Sequence, residues 1–194
     1  MKEIYLCRHG RTSWNDERRI QGRTDIPLDE TGLAQARALA QFLAGRRPRA
    51  RQIVCSPMMR AQQTAAPIAE LLGLEVIIDE DLTEVDTGEY TGRLLPELKA
   101  DPAWIAHLED PFQTGYGPYG ESSESVRDRV LRAIGRYDDA IYVTHASPVR
   151  HAILALLDIP GRHMYHLAIH NASATCMEIH DTFNKLVFMN HVAP

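Results

Sequence analysis

Apolar residues follow two rhythms along this chain. Short runs rich in β-formers end abruptly in polar loops. Ile4-Tyr5-Leu6-Cys7 breaks into the stretch 8–22, Gln52-Ile53-Val54-Cys55 is closed by Ser56-Pro57, and Val76-Ile77-Ile78 forms a third run. These predict strands. Between them the spacing turns helical: Leu33, Ala36, Leu39, Ala40 and Leu43 share one face, with Thr31 placed as N-cap and Gly45 as terminator. Residues 59–72 predict a second helix ended by Gly73. An amphipathic helix over 122–137, a strand over 140–144 and a helix over 149–157, begun near Pro148, follow. Residues 174–179 and 185–190, separated by 181–184, predict a terminal hairpin.

Strands alternating with helices imply an α/β three-layer sandwich, with a mostly parallel central sheet, helices on both faces and one antiparallel edge. The stretch 87–120 differs, being rich in glycine and scattered aromatics, with broken helix only over 94–108. It is expected to be a small cap inserted into a single domain spanning 1–194.

Composition narrows the class. The 194 residues are 44% hydrophobic and 24% charged, enough for one core and without the bias of a disordered chain. No apolar run approaches a bilayer span, and Met1-Lys2-Glu3-Ile4 enters the first strand without a leader-like core, so a cytoplasmic protein with no membrane partner is expected. A net charge of -5 argues against nonspecific nucleic-acid binding but allows an arginine cluster to hold a small anion. Cys7, Cys55 and Cys176 are odd in number, and the first two lie in strand runs, as buried hydrophobes in a reducing compartment do. The hairpin edge is a surface on which a homodimer can form.

The chemistry gathers at strand ends, where an open parallel sheet binds its ligands. The first strand delivers Arg8 and His9, the second is followed by Arg60, the third leads to Glu84, and the fourth delivers His145. Two guanidiniums can neutralise phosphate oxygens without a metal, a neutral imidazole can attack phosphorus, and a carboxylic acid with a raised pKa can protonate the leaving oxygen. Either histidine fits the nucleophile by position alone, and Asp86 and Glu89 stand near Glu84 as alternative acids. Cysteine-based phosphatase chemistry is excluded, since six residues beyond Cys7 and Cys55 stand Ser13 and Ala61 rather than arginine. His163, His166 and His170 have metal-like spacing without a helical register or a carboxylate, so no metal and no cofactor are expected. Trp104, Phe112, Tyr116 and Tyr119 either line a pocket or pack the cap.

Read in order, these residues resemble the histidine phosphatase superfamily, in its phosphoglycerate-mutase-like branch. The resemblance rests on Leu6-Cys7-Arg8-His9-Gly10-Arg11-Thr12-Ser13-Trp14-Asn15, Gln21-Gly22, Asp25-Ile26-Pro27-Leu28, Thr31-Gly32 with Gln35-Ala36, Ser56-Pro57 with Arg60-Ala61 and Thr64-Ala65, Glu84 with Gly88, Gly120-Glu121-Ser122 and Thr144-His145. It implies that His9 forms a phosphohistidine, that Arg8, Arg60 and His145 hold the phosphoryl group with Asn15 as a further donor, that Gln21 and Gly22 line the substrate, and that Glu84 is the proton donor. Tyr90-Thr91-Gly92 and Ala146 depart from the family pattern, which bears on substrate fit.

The resemblance implies a phosphomonoester hydrolase acting on a small phosphorylated metabolite, α-ribazole phosphatases being one small type within it. A cofactor-dependent phosphoglycerate mutase is the alternative. It is disfavoured because a mutase cap needs basic residues for a sugar acid, whereas 93–120 carries only Arg93 and Lys99 against Glu97, Asp101, Glu109 and Asp110. A non-catalytic phosphate-binding module is the second alternative, opposed by the presence of all five reacting residues.

Overall fold

Period-two alternation decides which side of the sheet each strand residue faces. In β1 (Lys2–Arg8), Ile4 and Leu6 join one buried cluster while Tyr5 and Cys7 join another. The computed structural model describes residues 1–193. After β1 come α1 (Ser13–Asp16), α2 (Glu30–Arg46), β2 (Gln52–Cys55), α3 (Met59–Leu72), β3 (Val76–Ile78), α4 (Pro102–Glu109), α5 (Pro111–Thr114), α6 (Ser123–Arg136), β4 (Ala140–Thr144), α7 (Ala146–Leu156), β5 (Ser173–Ile179) and β6 (Asn184–Val192), with short 3-10 turns between several of them.

The sheet runs in the order β3-β2-β4-β1-β5-β6. Pairing is parallel from β3 through β1 and antiparallel for β5 and β6, so the hairpin supplies the antiparallel edge. Leu39, Ala40 and Leu43 of α2 with Ala61, Ala65 and Ile68 of α3 cover one face; Val126, Val130 and Ala133 of α6 with Val149, Ala152 and Ile153 of α7 cover the other. This is the three-layer α/β arrangement expected. All three cysteines are buried and free. No helix among the described residues is long and apolar enough to cross a membrane. β6, the outer edge, leaves Leu186, Val187 and Val192 exposed.

Local boundaries differ from expectation where side chains compete for the helix ends. Asp29, not Thr31, caps α2, because its carboxylate accepts the Gly32 N–H at 2.7 Å while the Thr31 hydroxyl accepts from Arg11. Gly45 lies inside that helix, which ends at Arg47 in the left-handed region with φ 51°. The stretch 8–22 holds α1, closed by a capping box between Thr12 and Asn15. The predicted broken helix over 94–108 is a 3-10 turn at Leu95–Ala100 followed by α4, divided where Asp101 caps Pro102. α7 begins at Ala146, directly after its N-cap His145 and two residues ahead of the expected Pro148.

The order of the strands positions the site. The chain leaves β1 for β2 and β3 and then returns to insert β4 between β2 and β1, so β1 and β4 end side by side at the change of direction. His9 extends that pairing, its N–H donating to the Thr144 carbonyl at 2.9 Å.

Candidate active site

A cavity of about 210 Å³ opens over the ends of β1 and β4. Its wall contains Arg8, His9, Asn15, Gln21, Gly22, Arg60 and Glu84, so seven of the eight predicted site residues meet there. The eighth, His145, is fully buried behind them, its ring centroid 5.1 Å from that of His9. A larger cavity of about 650 Å³ lies elsewhere, against α6 and α7, and shares none of these residues. The smaller one is the candidate site because it gathers the titratable groups.

Hydrogen bonds assign different tautomers to the two histidines. Nδ1 of His9 is 2.7 Å from the Gly10 carbonyl oxygen, which can only accept, so Nδ1 carries the proton and Nε2 the lone pair. Nε2 has no partner among the described residues. In His145 the Nδ1 accepts from Arg60 Nε at 3.2 Å, which leaves Nε2 to carry the proton and donate to Ser56 Oγ at 2.8 Å. Both nitrogens of His145 are therefore occupied, whereas His9 presents a free one. Burial, then the Arg8 and Arg60 guanidiniums, hold His9 well below the usual imidazole range, and burial with Arg60 does the same to His145.

The loop bearing His9 is braced from several sides. Asn171 Nδ2 donates to the carbonyls of His9 and Gly10, each at 3.3 Å, and to Asn15 Oδ1 at 3.0 Å. The Gly10 N–H donates to Thr64 Oγ1 at 3.0 Å. Gly10 passes so close to α2 that a Cβ would lie 2.5 Å from the Gly32 carbonyl oxygen, which is why no side chain fits there. Asn15 spends its amide oxygen on Thr12 and Asn171, and its Nδ2 has no partner among the described residues.

Arg60, fully buried, donates from its terminal nitrogens to the carbonyls of Thr24 at 2.8 Å and Gly22 at 3.0 Å as well as from Nε to His145. Three of its five N–H groups are thereby used, and two remain for a ligand. Gly22 gives Arg60 its carbonyl from a left-handed backbone at φ 49°. Arg8 donates to the Ile169 carbonyl at 2.7 Å, and burial pushes it down to about 10, still charged at neutral pH. Two buried atoms of the wall, Arg8 Nε and Gln21 Oε1, have no hydrogen-bond partner among the described residues, an arrangement that a bound polar ligand relieves.

Glu84 is half-buried on the same wall, one carboxylate oxygen accepting from the Val85 N–H at 2.9 Å. Burial raises its pKa above the ordinary value against the opposing pull of that N–H, Arg60 and Arg8. Neither Asp86 nor Glu89 reaches the cavity; Asp86 caps the Gly88 N–H at 2.9 Å and Glu89 is exposed.

Of the four aromatics, only Tyr116 reaches this wall. Trp104 packs on Tyr90 and His107, Phe112 on Gly161 and His151, and Tyr119 is 90% exposed. His163 and His166 approach each other at 3.3 Å, while His170 bonds to Asn190 instead of joining them. Sequence reasoning missed Arg19, Ser147, Arg150 and Tyr165 on the wall, and Asn171 behind it. Arg150 carried a signal, since it lies on the helix that His145 begins; Asn171 carried none.

The sequence profile of the histidine phosphatase superfamily (branch 1) matches residues 4–192. A protein named probable phosphoglycerate mutase GpmB from Cronobacter sakazakii is 34% identical over 183 residues, covering 89% of this chain and 83% of its own. Among solved structures, a mycobacterial glucosyl-3-phosphoglycerate phosphatase superposes with a TM-score of 0.87 at 29% identity, over 100% of both chains. A phosphoserine phosphatase from Entamoeba histolytica, solved with 3-phosphoglyceric acid, gives 0.88 at 27% identity, covering 99% of this chain and 98% of that one.

Proposed function

The chain belongs to the histidine phosphatase superfamily (branch 1), and from that premise we propose that it hydrolyses a small phosphomonoester through a phosphohistidine on His9. The observation that carries this reading is the contrast in tautomers: His9 offers a free Nε2 over the cavity while both nitrogens of His145 are held.

In the first step the Nε2 lone pair attacks phosphorus in line with the ester oxygen. The N–P bond forms as the P–O bond breaks, and Glu84 gives its proton to the departing alkoxide. Arg8, the two spare N–H groups of Arg60 and Asn15 Nδ2 hold the phosphoryl oxygens as their charge spreads. In the second step the Glu84 carboxylate takes a proton from water, whose oxygen attacks phosphorus. Inorganic phosphate leaves and His9 is restored. His145 serves by holding Arg60, and Gln21 and Gly22 border the substrate. The guanidiniums take the electrostatic part that a metal takes elsewhere, so the reaction proceeds in chelator. We place this chemistry in the cytoplasm, in keeping with the three free buried cysteines.

The volume of about 210 Å³ suits a small metabolite rather than a large one. Aryl phosphate turnover in chelator, absent in His9→Ala, tests the reading, and undiminished turnover in that variant sinks it. A second reading, mutase, is favoured by the similarity to the probable phosphoglycerate mutase. Isomerisation of 3-phosphoglycerate with a trace of bisphosphate and no phosphate release overturns hydrolysis in its favour. A panel of phosphorylated metabolites, with α-ribazole phosphate among them, identifies the substrate.

A further inference from the structure

Four guanidiniums, Arg8, Arg19, Arg60 and Arg150, border the cavity against one carboxylate, Glu84. Both buried histidines are neutral. With Arg19 paired to Glu17 and Glu84 protonated for the first step, a phosphomonoester dianion leaves one positive charge unmatched, and buried or half-buried charge is costly without a partner.

The surplus can be located. Arg8 and Arg60 flank His9 and meet the phosphoryl group. Arg19 pairs with Glu17 at 3.0 Å, donates to the Gly92 carbonyl at 2.6 Å and lies over Trp14. Arg150 is different. Its Nε donates to the Leu167 carbonyl at 2.9 Å and its Cζ lies 5.5 Å from the Tyr165 ring centroid, which fixes the guanidinium plane. Its two terminal nitrogens have neither a hydrogen-bond acceptor nor a carboxylate among the described residues. The neighbouring hydroxyls are already committed, Tyr165 to His107 and Tyr116 to Ser147, each at 2.5 Å. The protein therefore presents a half-buried, oriented guanidinium fork with nothing of its own to fill it.

We propose that Arg150 is the specificity residue for a carboxylate on the substrate, which makes the substrate class a small phosphomonoester with a carboxylate a few bonds from the ester. A planar fork of donors matches a carboxylate in geometry, and one residual positive charge matches a monoanion in number. This rests on the phosphatase reading only for the position of the phosphoryl group. It also removes the ground on which an acid-bearing substrate was disfavoured, because Arg19 and Arg150 enter the cavity from outside 93–120.

The test compares 3-phosphoglycerate with glycerol 3-phosphate, which differ at the carboxylate. The wild-type protein prefers the former by roughly 10- to 100-fold in kcat/KM, the span of a charged hydrogen-bonded contact. In Arg150→Gln that ratio falls to about 1, mainly through KM, and Arg150→Lys retains part of it. A merely structural arginine lowers both substrates together and leaves the ratio intact, which overturns the proposal, as does equal use of both by the wild type. The same two compounds titrated onto His9→Ala give the ratio as dissociation constants without any turnover. Absence of hydrolysis then counts against the phosphatase reading, while the binding ratio decides Arg150 separately.

Discussion

Arg60 Nε donates to His145 Nδ1 across 3.2 Å inside a region closed to solvent, so the second histidine is an acceptor that holds the arginine. Removing it leaves a buried guanidinium N–H without a partner and lets the clamp proposed for the phosphoryl oxygens drift. His145→Ala is expected to lower kcat/KM by about 10³-fold, the scale of losing a transition-state donor. His145→Asn, whose side-chain oxygen can stand in for Nδ1, is expected to recover at least about tenfold of that loss. Steady-state kinetics on an aryl phosphate measure both. Equal losses in the two variants place the importance of His145 elsewhere than in its grip on Arg60.

The pH dependence follows from His9 and Glu84. In the proposed mechanism His9 must be neutral to attack, and its pKa is lowered by burial and the two arginines, so the acid limb of kcat/KM is expected below about 6.5. Glu84 must be protonated to serve an alkoxide, and its pKa is raised by burial, so activity is lost as pH rises through that elevated value. An alkyl phosphate should therefore show a bell-shaped profile with His9 on the acid limb and Glu84 on the basic limb. Glu84→Gln should remove the basic limb and cost an alkyl ester about 10²- to 10⁴-fold, with a smaller effect on phosphorylation by p-nitrophenyl phosphate, whose leaving group needs no proton. A basic limb unchanged in Glu84→Gln assigns the proton to another group.

The sheet and its four strand ends were legible because burial on both faces leaves apolar runs, and because Arg8 ends β1, His9 and His145 directly follow strands, and Arg60 lies in the first turn of α3. The two histidines could not be told apart, since a tautomer depends on the Gly10 carbonyl and on Arg60, contacts set by three-dimensional packing. Asn171 was silent for the same reason: 162 residues separate it from His9, and only the β1–β5 pairing brings them together. The composition of 93–120 did not show Arg19 and Arg150, because these line the cavity from other segments.

Asn171 yields a prediction that separates positioning from chemistry. Its amide donates to the carbonyls of His9 and Gly10 and to Asn15. Asn171→Ala should lower kcat about tenfold with a small change in KM, because a misplaced nucleophile affects the attack more than the binding. Asn171→Asp should be worse, since a carboxylate there faces three oxygens and can donate to none. Acid-labile phosphoenzyme trapped by rapid quench reports the step directly: slower formation at unchanged final level is the expected result, and unchanged formation rates refute the bracing role.

Arg129 and Glu121 support the segment that carries Glu84 and make stability depend on pH. Their side chains are 7% and 10% exposed and paired at 2.9 and 3.0 Å, while the third arginine nitrogen donates to the carbonyls of Asp81 at 2.8 Å and Thr83 at 2.5 Å. Burial works to raise the Glu121 pKa, but the bonds and charge of Arg129, together with Ser125 and Arg23, outweigh it and hold the carboxyl below its usual value. A depressed carboxyl stabilises the fold above its unfolded value near 4.3 and ceases to do so as pH falls through the folded one. Arg129→Met leaves the largely buried Glu121 with only Ser125 and the exposed Arg23 as partners and strips the Asp81 and Thr83 carbonyls of their donor, which should cost about 3 kcal/mol at pH 7. In the variant the Glu121 pKa rises relative to the wild type as the Arg129 bonds are lost, so acidification weakens the variant less than the wild type. Urea midpoints should therefore differ widely at pH 7 and converge toward pH 4. A gap that stays constant between those values shows that the lost contacts were to the Asp81 and Thr83 carbonyls rather than to the Glu121 charge.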